Sequence, residues 1–174
     1  AFEDVLEYWF GSLEGELDFP RDKKQLWWMG GEDIDDEIRD RFGHLVERAL
    51  SGGLSEWGEA PRSRLALVIL LDQFTRNLGR GTPRAFAGDP RALSVCLEGI
   101  DRGHDQELRL IERSFFLMPM IHAEDPSVAR RCLRVFGDLS KEIEGCGVSD
   151  HPDFLSHAQM HADIVLRFGR YPHR

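Results

Sequence analysis

A chain of 174 residues fits a single domain and is long enough to bury a core without disulfide or metal staples. Its formal net charge is −9, but residues 1–60 carry 16 acidic residues against six Lys and Arg, so residues 61–174 are close to neutral. That balance excludes the basic stripe that nucleic-acid phosphates require. The longest apolar run, residues 65–71, is far short of the ~20 residues that span a bilayer.

Helical periodicity runs through nearly the whole chain. Phe2, Val5, Leu6, Trp9 and Phe10 recur at three- and four-residue steps and predict a first short helix. A loop follows to Pro20, and residues 25–29 place Trp27-Trp28 on a short turn or helix. Residues 33–50 are clearly amphipathic, with Ile34, Ile38, Phe42, Leu45, Val46 and Ala49 on one face. Acids crowd the first turn, where they suit the helix dipole, and Ser51-Gly52-Gly53 ends it.

Residues 61–78 predict one helix closed by Gly79. Asp89-Pro90 reads as an N-cap with Pro at the first helical position, opening a helix to about Gly103. Residues 105–122 form the next, with Pro119 as a kink or early stop. Asp125-Pro126 opens a helix to Glu144, and His151-Pro152 opens the last, which Gly169 ends. No strand-type alternation competes. The expectation is an all-α single domain over residues 1–174 of about seven helices, with the acidic residues 1–60 packed on a body of residues 61–174. Short connections pair 33–50 with 61–78, 90–102 with 105–122, and 126–144 with 152–168 as antiparallel hairpins.

The acidic start, FEDVLEYWF, has no signal-peptide pattern. Cys96, Cys132 and Cys146 form no CxxC and fit a reduced compartment. A soluble, cytoplasmic protein is expected. No P-loop, dinucleotide fingerprint or G-x-S-x-G is present, and the residues call for no cofactor.

Three blocks can carry chemistry. In LALVILLDQFTRNLGRGTPRAF, residues 65–86, an apolar run meets Asp72, Gln73, Arg76, Asn77 and Arg80. Asp72 with Arg76, and Gln73 with Asn77, are i,i+4 neighbours. The plain reading is a solvated ion pair and a glycine stop; the functional one is a groove whose arginines hold a carboxylate or phosphate. In ERSFFLMPMIHAEDP, residues 112–126, Arg113 precedes a Met/Phe stripe that reads as core, and His122 and Glu124 follow. In HAQMHADIVLRFGRYPHR, residues 157–174, His157 and His161 have the spacing of a two-histidine metal face, but no HExxH and no carboxylate ligand accompany them, so no metal is expected. Arg167, Arg170, His173 and Arg174 make a basic end.

These blocks, with LEYWF, LWWMGG and DIDDEIRDRF, resemble the signature blocks of the DUF924 family, uncharacterised bacterial proteins with a tetratricopeptide-like helical fold. The resemblance spans essentially the whole chain. It implies an array of stacked helical hairpins and a set of recurrent polar residues, among them Asp72, Gln73, Arg76, Asn77, Arg80, Arg113, His122, Glu124, His161, Arg167, Arg170 and His173. His157 is outside the pattern. No activity is implied, so function rests on the site.

Two readings lead. In one, the blocks converge on a pocket for a small anionic ligand. His122 or His161 would be the acid/base and Asp72 or Glu124 its orienter. Gln73, Arg76, Asn77, Arg80, Arg113, Arg167, Arg170 and His173 would hold the ligand. In the other, stacked hairpins present a concave face to a protein or peptide, with Trp27, Trp28 or Trp57 as anchors; core packing is the plainer role for these three. A third reading leaves the polar residues only to pin helices together. The discriminating question is whether Asp72, Arg76, His122 and His161 point into one place.

Overall fold

The computed structural model describes residues 1–172 and 174, and among them it is helical with no strand. His173, read above as a ligand-holding residue, lies outside the described residues. Helix α1, Phe2–Phe10, buries Val5, Leu6, Trp9 and Phe10, the face its periodicity sets. Gln25–Met29 winds as a wide π-turn, closed by the Gly30 N–H on the Gln25 carbonyl at 2.9 Å. It sends Trp27 inward, where the indole donates to the Trp9 carbonyl at 2.9 Å, and leaves Trp28 46% exposed. Trp57 also packs in the core, edge-on to Phe2.

Helix α2, Glu32–Ser51, buries Ile38, Phe42, Leu45, Val46 and Ala49, together with one acid, Asp35. The residues predicted as one helix from Pro61 follow without interruption as α3, Pro61–Val68, a π-wound segment, Ile69–Phe74, and α4, Thr75–Leu78. Residues 65–71 are all buried because neighbours surround them: α1, α5 and α6 contact α3, and α2 and α5 contact the π segment. A helix apolar all round is a helix enclosed all round.

Helix α5, Asp89–Asp101, begins one residue earlier than the capping pattern predicts. Gly88 is its N-cap, and Asp89 is already helical with its side chain committed elsewhere. The helix expected over 105–122 is broken. A 3-10 turn, His104–Glu107, precedes α6, Leu110–Phe116, and α7, Met118–His122, restarts after Leu117. Pro119 sits in the first turn of α7, where its missing N–H costs nothing. Helix α8, Pro126–Gly145, is capped by Asp125, which accepts from the N–H groups of Ser127 at 2.7 Å and Val128 at 3.2 Å. Helix α9, Phe154–Phe168, is capped by Asp153, not by His151, and ends at Gly169 with φ 75°.

Each expected pair is in contact: α2 with the π segment and α4, α5 with α7, and α8 with α9. One core cluster runs from Val5 on α1 to Ala158 on α9, so the acidic N-terminal segment and the rest of the chain share it. Cys96 and Cys132 are buried and Cys146 is exposed, all as free thiols. Among the described residues no helix is long and apolar enough to cross a membrane.

Candidate functional site

The π segment reshapes the end of the central helix. The Thr75 N–H reaches back five residues to the Leu70 carbonyl, which leaves the Leu71 carbonyl without its usual i+4 donor. The Thr75 hydroxyl takes that role at 2.6 Å. Gly88 packs so closely on the same carbonyl that a Cβ there would sit 2.0 Å from the Leu71 oxygen. The close approach delivers Asp89, at the start of α5, beside Arg76. A π-turn adds a residue to the helix and re-aims the side chains that follow it, which is why such turns recur at functional sites.

Asp72 lies inside this segment, and its side chain is fully buried. Its Oδ1 is 2.7 Å from His122 Nδ1, and its Oδ2 accepts from Gln73 Nε2 at 2.6 Å. Arg76 Nη1 lies 3.3 Å from Oδ1 and also donates to the Asp72 carbonyl. Burial works against the Asp72 carboxylate. The neighbouring His122 and Arg76 charges, with hydrogen bonds from His122 and Gln73, outweigh burial and hold the group below the ordinary aspartate value.

His122 ends α7 and is brought to Asp72 by the contact of α7 with α5 and α8. With Nδ1 turned to the carboxylate, Nε2 lies on the far side of the ring. It has no hydrogen-bond partner among the described residues, and the side chain is 12% exposed. The His161 ring stands 6.4 Å from the His122 ring, edge to face, and the His157 ring stands 4.3 Å beyond it. His161 Nδ1 meets the His157 carbonyl at 2.9 Å.

The cations here are already engaged. Arg76 pairs with Asp89, its Nη2 donating to Oδ2 at 3.2 Å and its Nη1 lying 2.9 Å from Oδ1. Arg174 Nη1 lies 3.1 Å from Asp89 Oδ2 and 3.1 Å from the His122 carbonyl, and its guanidinium packs 4.5 Å over the Phe86 ring. Burial first, then the nearby Asp72 charge, push the Asp89 carboxyl above its ordinary value, against the pull of Arg76. Glu124 serves the same tail and not the imidazole: it accepts the Tyr171 N–H at 2.8 Å, while the Tyr171 hydroxyl donates to the Ile121 carbonyl.

The remaining residues read from the sequence face elsewhere. Asn77 donates to Asp35 Oδ1 at 2.8 Å, and Arg80 forks onto both Asp35 oxygens at 2.6 and 2.9 Å, so this pair ties the helix end to α2. Arg113 binds Glu142 at 2.8 Å and lies 3.8 Å from Asp105. Arg167 and Arg170 are exposed, Arg167 lying over the Phe168 ring. Among the described residues no group of His, Cys, Asp or Glu is placed to hold a metal. Asp72, Gln73, Arg76, His122 and His161 therefore come together. Asp89, read only as a capping residue, joins them because of the Gly88 approach, which no sequence period reports.

The model of the DUF924 family, bacterial proteins of unknown function, matches residues 5–174. A solved structure of a protein of unknown function from Agrobacterium tumefaciens is similar, with a TM-score of 0.82 and 35% identity over 99% of this chain and 86% of that one. No curated protein matches the chain.

Proposed function

We propose, for a chain that belongs to the DUF924 family of bacterial proteins, that His122 is the acid/base of a small-molecule site. Asp72 is its positioning residue, and the ligand is a small anion. The observation that carries this reading is the 2.7 Å contact between a fully buried carboxylate and His122 Nδ1, which leaves Nε2 on the far side of a ring that is 12% exposed. An ionised Asp72 accepts a hydrogen bond, so Nδ1 carries the proton and Nε2 is left as the basic nitrogen. When Nε2 takes up a proton, the buried carboxylate stabilises the imidazolium, the role a buried aspartate plays in Asp–His pairs generally.

No serine, threonine or cysteine is hydrogen-bonded to Nε2 among the described residues. The proton is therefore exchanged with ligand or water rather than with a nucleophilic side chain of this chain. Arg76 and Arg174 are balanced by Asp72 and Asp89. A protonated His122 would then present its Nε2–H to an anionic ligand as a charge-assisted donor.

The test is a panel of small carboxylate and phosphate compounds, read by thermal shift and by turnover, on the parent protein and on His122→Gln and Asp72→Asn. Removing a positioned acid/base costs on the order of 10²–10⁴ in rate. Turnover unchanged in His122→Gln would sink the proposal. If both variants lose only thermal stability and no compound stabilises the parent, the polar cluster is structural packing.

A further inference from the structure

We propose that the cleft between the first π-turn and the start of α9 binds a small aromatic carboxylate, its ring against Trp28, Phe154 and His157 and its carboxylate on Lys24. The inference goes beyond the acid–base reading, since His122 does not line the cleft, and binding there stands or falls separately. A cavity of about 390 Å³ opens there, within the ~300–1,000 Å³ usual for small-ligand sites.

The walls are aromatic. The Trp28 ring lies 5.7 Å from Phe154 and 6.2 Å from His157. Leaving an indole 46% exposed forfeits burial that Trp9, Trp27 and Trp57 all obtain. Burial, then the neighbouring His161 and His122, push the His157 imidazole down to about 4, so it is a neutral ring at ordinary pH. Behind the cleft, ring contacts run from His157 to His161 at 4.3 Å and from His161 to His122 at 6.4 Å.

The charges select the ligand's sign. Three charged side chains line the cleft: Lys24, Asp150 and Asp153. Asp150 is taken by Arg21, with contacts of 2.9 and 2.5 Å. Asp153 is taken by Ser156, accepting from its N–H at 2.9 Å and its hydroxyl at 2.6 Å. Lys24 has no ion-pair or hydrogen-bond partner among the described residues and acts on Asp150 only through space. Asp150 is neutralised by Arg21, and Asp153 keeps its charge but has both oxygens engaged at the α9 cap, so Lys24 is the lining group left to pair with an anion. The arginines that the sequence offered as the anion clamp are engaged by internal acids; the uncommitted cation at the aromatic wall is a lysine on the π-turn.

The experiment follows the indole N–H resonances by NMR, with the Trp28 signal assigned by its loss in Trp28→Phe. The probes are 3-phenylpropanoate, 3-phenylpropylamine and propanoate. The Trp28 signal is expected to shift saturably with 3-phenylpropanoate. Affinity should be at least about tenfold weaker for the amine, and propanoate should move it little. Lys24→Gln should weaken 3-phenylpropanoate about tenfold, and Trp28→Ala should abolish saturable binding, with the far-UV spectrum unchanged in both. Equal or tighter binding of the amine overturns the proposal, as does unaltered affinity in Lys24→Gln or a Trp28 signal unmoved at millimolar probe. His122→Gln separates the two readings. If it binds 3-phenylpropanoate like the parent while no compound is turned over by either, the cleft stands and the acid–base role falls. A silent Trp28 beside His122-dependent turnover gives the reverse.

Discussion

The end of the central helix carries two polar networks that look alike in composition and differ in how they close. On one face, Asn77 and Arg80 fill both oxygens of Asp35. Both oxygens of its carboxylate are supplied by that pair, and the network fastens the helix end to α2. On the other face, Asp72 is equally well supplied by Gln73, Arg76 and His122, but one of its donors is a ring with a second nitrogen pointing away. Charge density at a helix end does not mark a site. What sets the Asp72 network apart, on the proposed reading, is the second ring nitrogen of His122, which Asp72 does not use.

The comparison can be broken most decisively at Asp72. Asp72→Ala strips the buried carboxylate from Arg76 and His122, and breaking a buried pair of this kind costs about 3–5 kcal/mol. Chemical denaturation would measure it, and a loss below about 1 kcal/mol, the size of an ordinary substitution, would contradict the burial argument. Gly88→Ala comes next. Its Cβ would meet the Leu71 carbonyl, which is backbone and cannot swing aside, and overpacking costs about 1–3 kcal/mol. It should also disturb binding at His122, because it displaces Asp89 from Arg76.

Asp35→Ala is expected to cost about 1–2 kcal/mol, since Arg80 is half in water and can be resolvated. It should leave any His122-dependent activity intact; a matching loss of activity would erase the distinction between the faces. Asp89→Asn should be smallest, within about 1 kcal/mol, because burial already disfavours ionisation there.

Acid titration sharpens the same contrast. Asp72 and Asp35 both have folded values below the ordinary 3.8. For Asp35, burial is opposed by the stronger combined hydrogen bonds and charges of Arg80 and Asn77. Their stabilisation is complete above 3.8 and is lost as pH falls through the lower folded values. Asp89 has the opposite sign, since its folded value is raised: its ionisation weakens the fold as pH rises through that value. Denaturation measured from neutral pH down through the acid range should fall steadily for the parent below the ordinary aspartate value. Asp72→Asn should flatten that fall, and an unchanged slope would contradict the assignment.

Much of the fold was legible because helices announce themselves locally. The spacing of Ile38, Phe42, Leu45 and Ala49 fixes the buried face of α2, and Asp125 caps α8 as its sequence predicts. Of the site, Asp72, Arg76, His122 and His161 could be nominated because polar residues interrupt apolar runs. The Asp89 cap reading failed because Gly88, packed on the Leu71 carbonyl, is the cap, and the Asp89 side chain turns to Arg76 and Arg174. Lys24 gives no functional signal, and Trp28 reads only as an anchor for a partner or as core, since the aromatic wall beside them comes from α9.

By itself, then, the sequence determined an all-helical chain, an enclosed central helix and a short set of polar residues at its end. Periodicity and capping act over a few residues and need no partner. The tertiary structure alone decided that Asp72 holds His122 across 50 positions, that Arg80 turns to Asp35 and Arg76 to Asp89, and that the helix winds as a π-turn beneath them. Ion pairs and hydrogen bonds form within about 3 Å, and which groups come that close is set by how the helices pack.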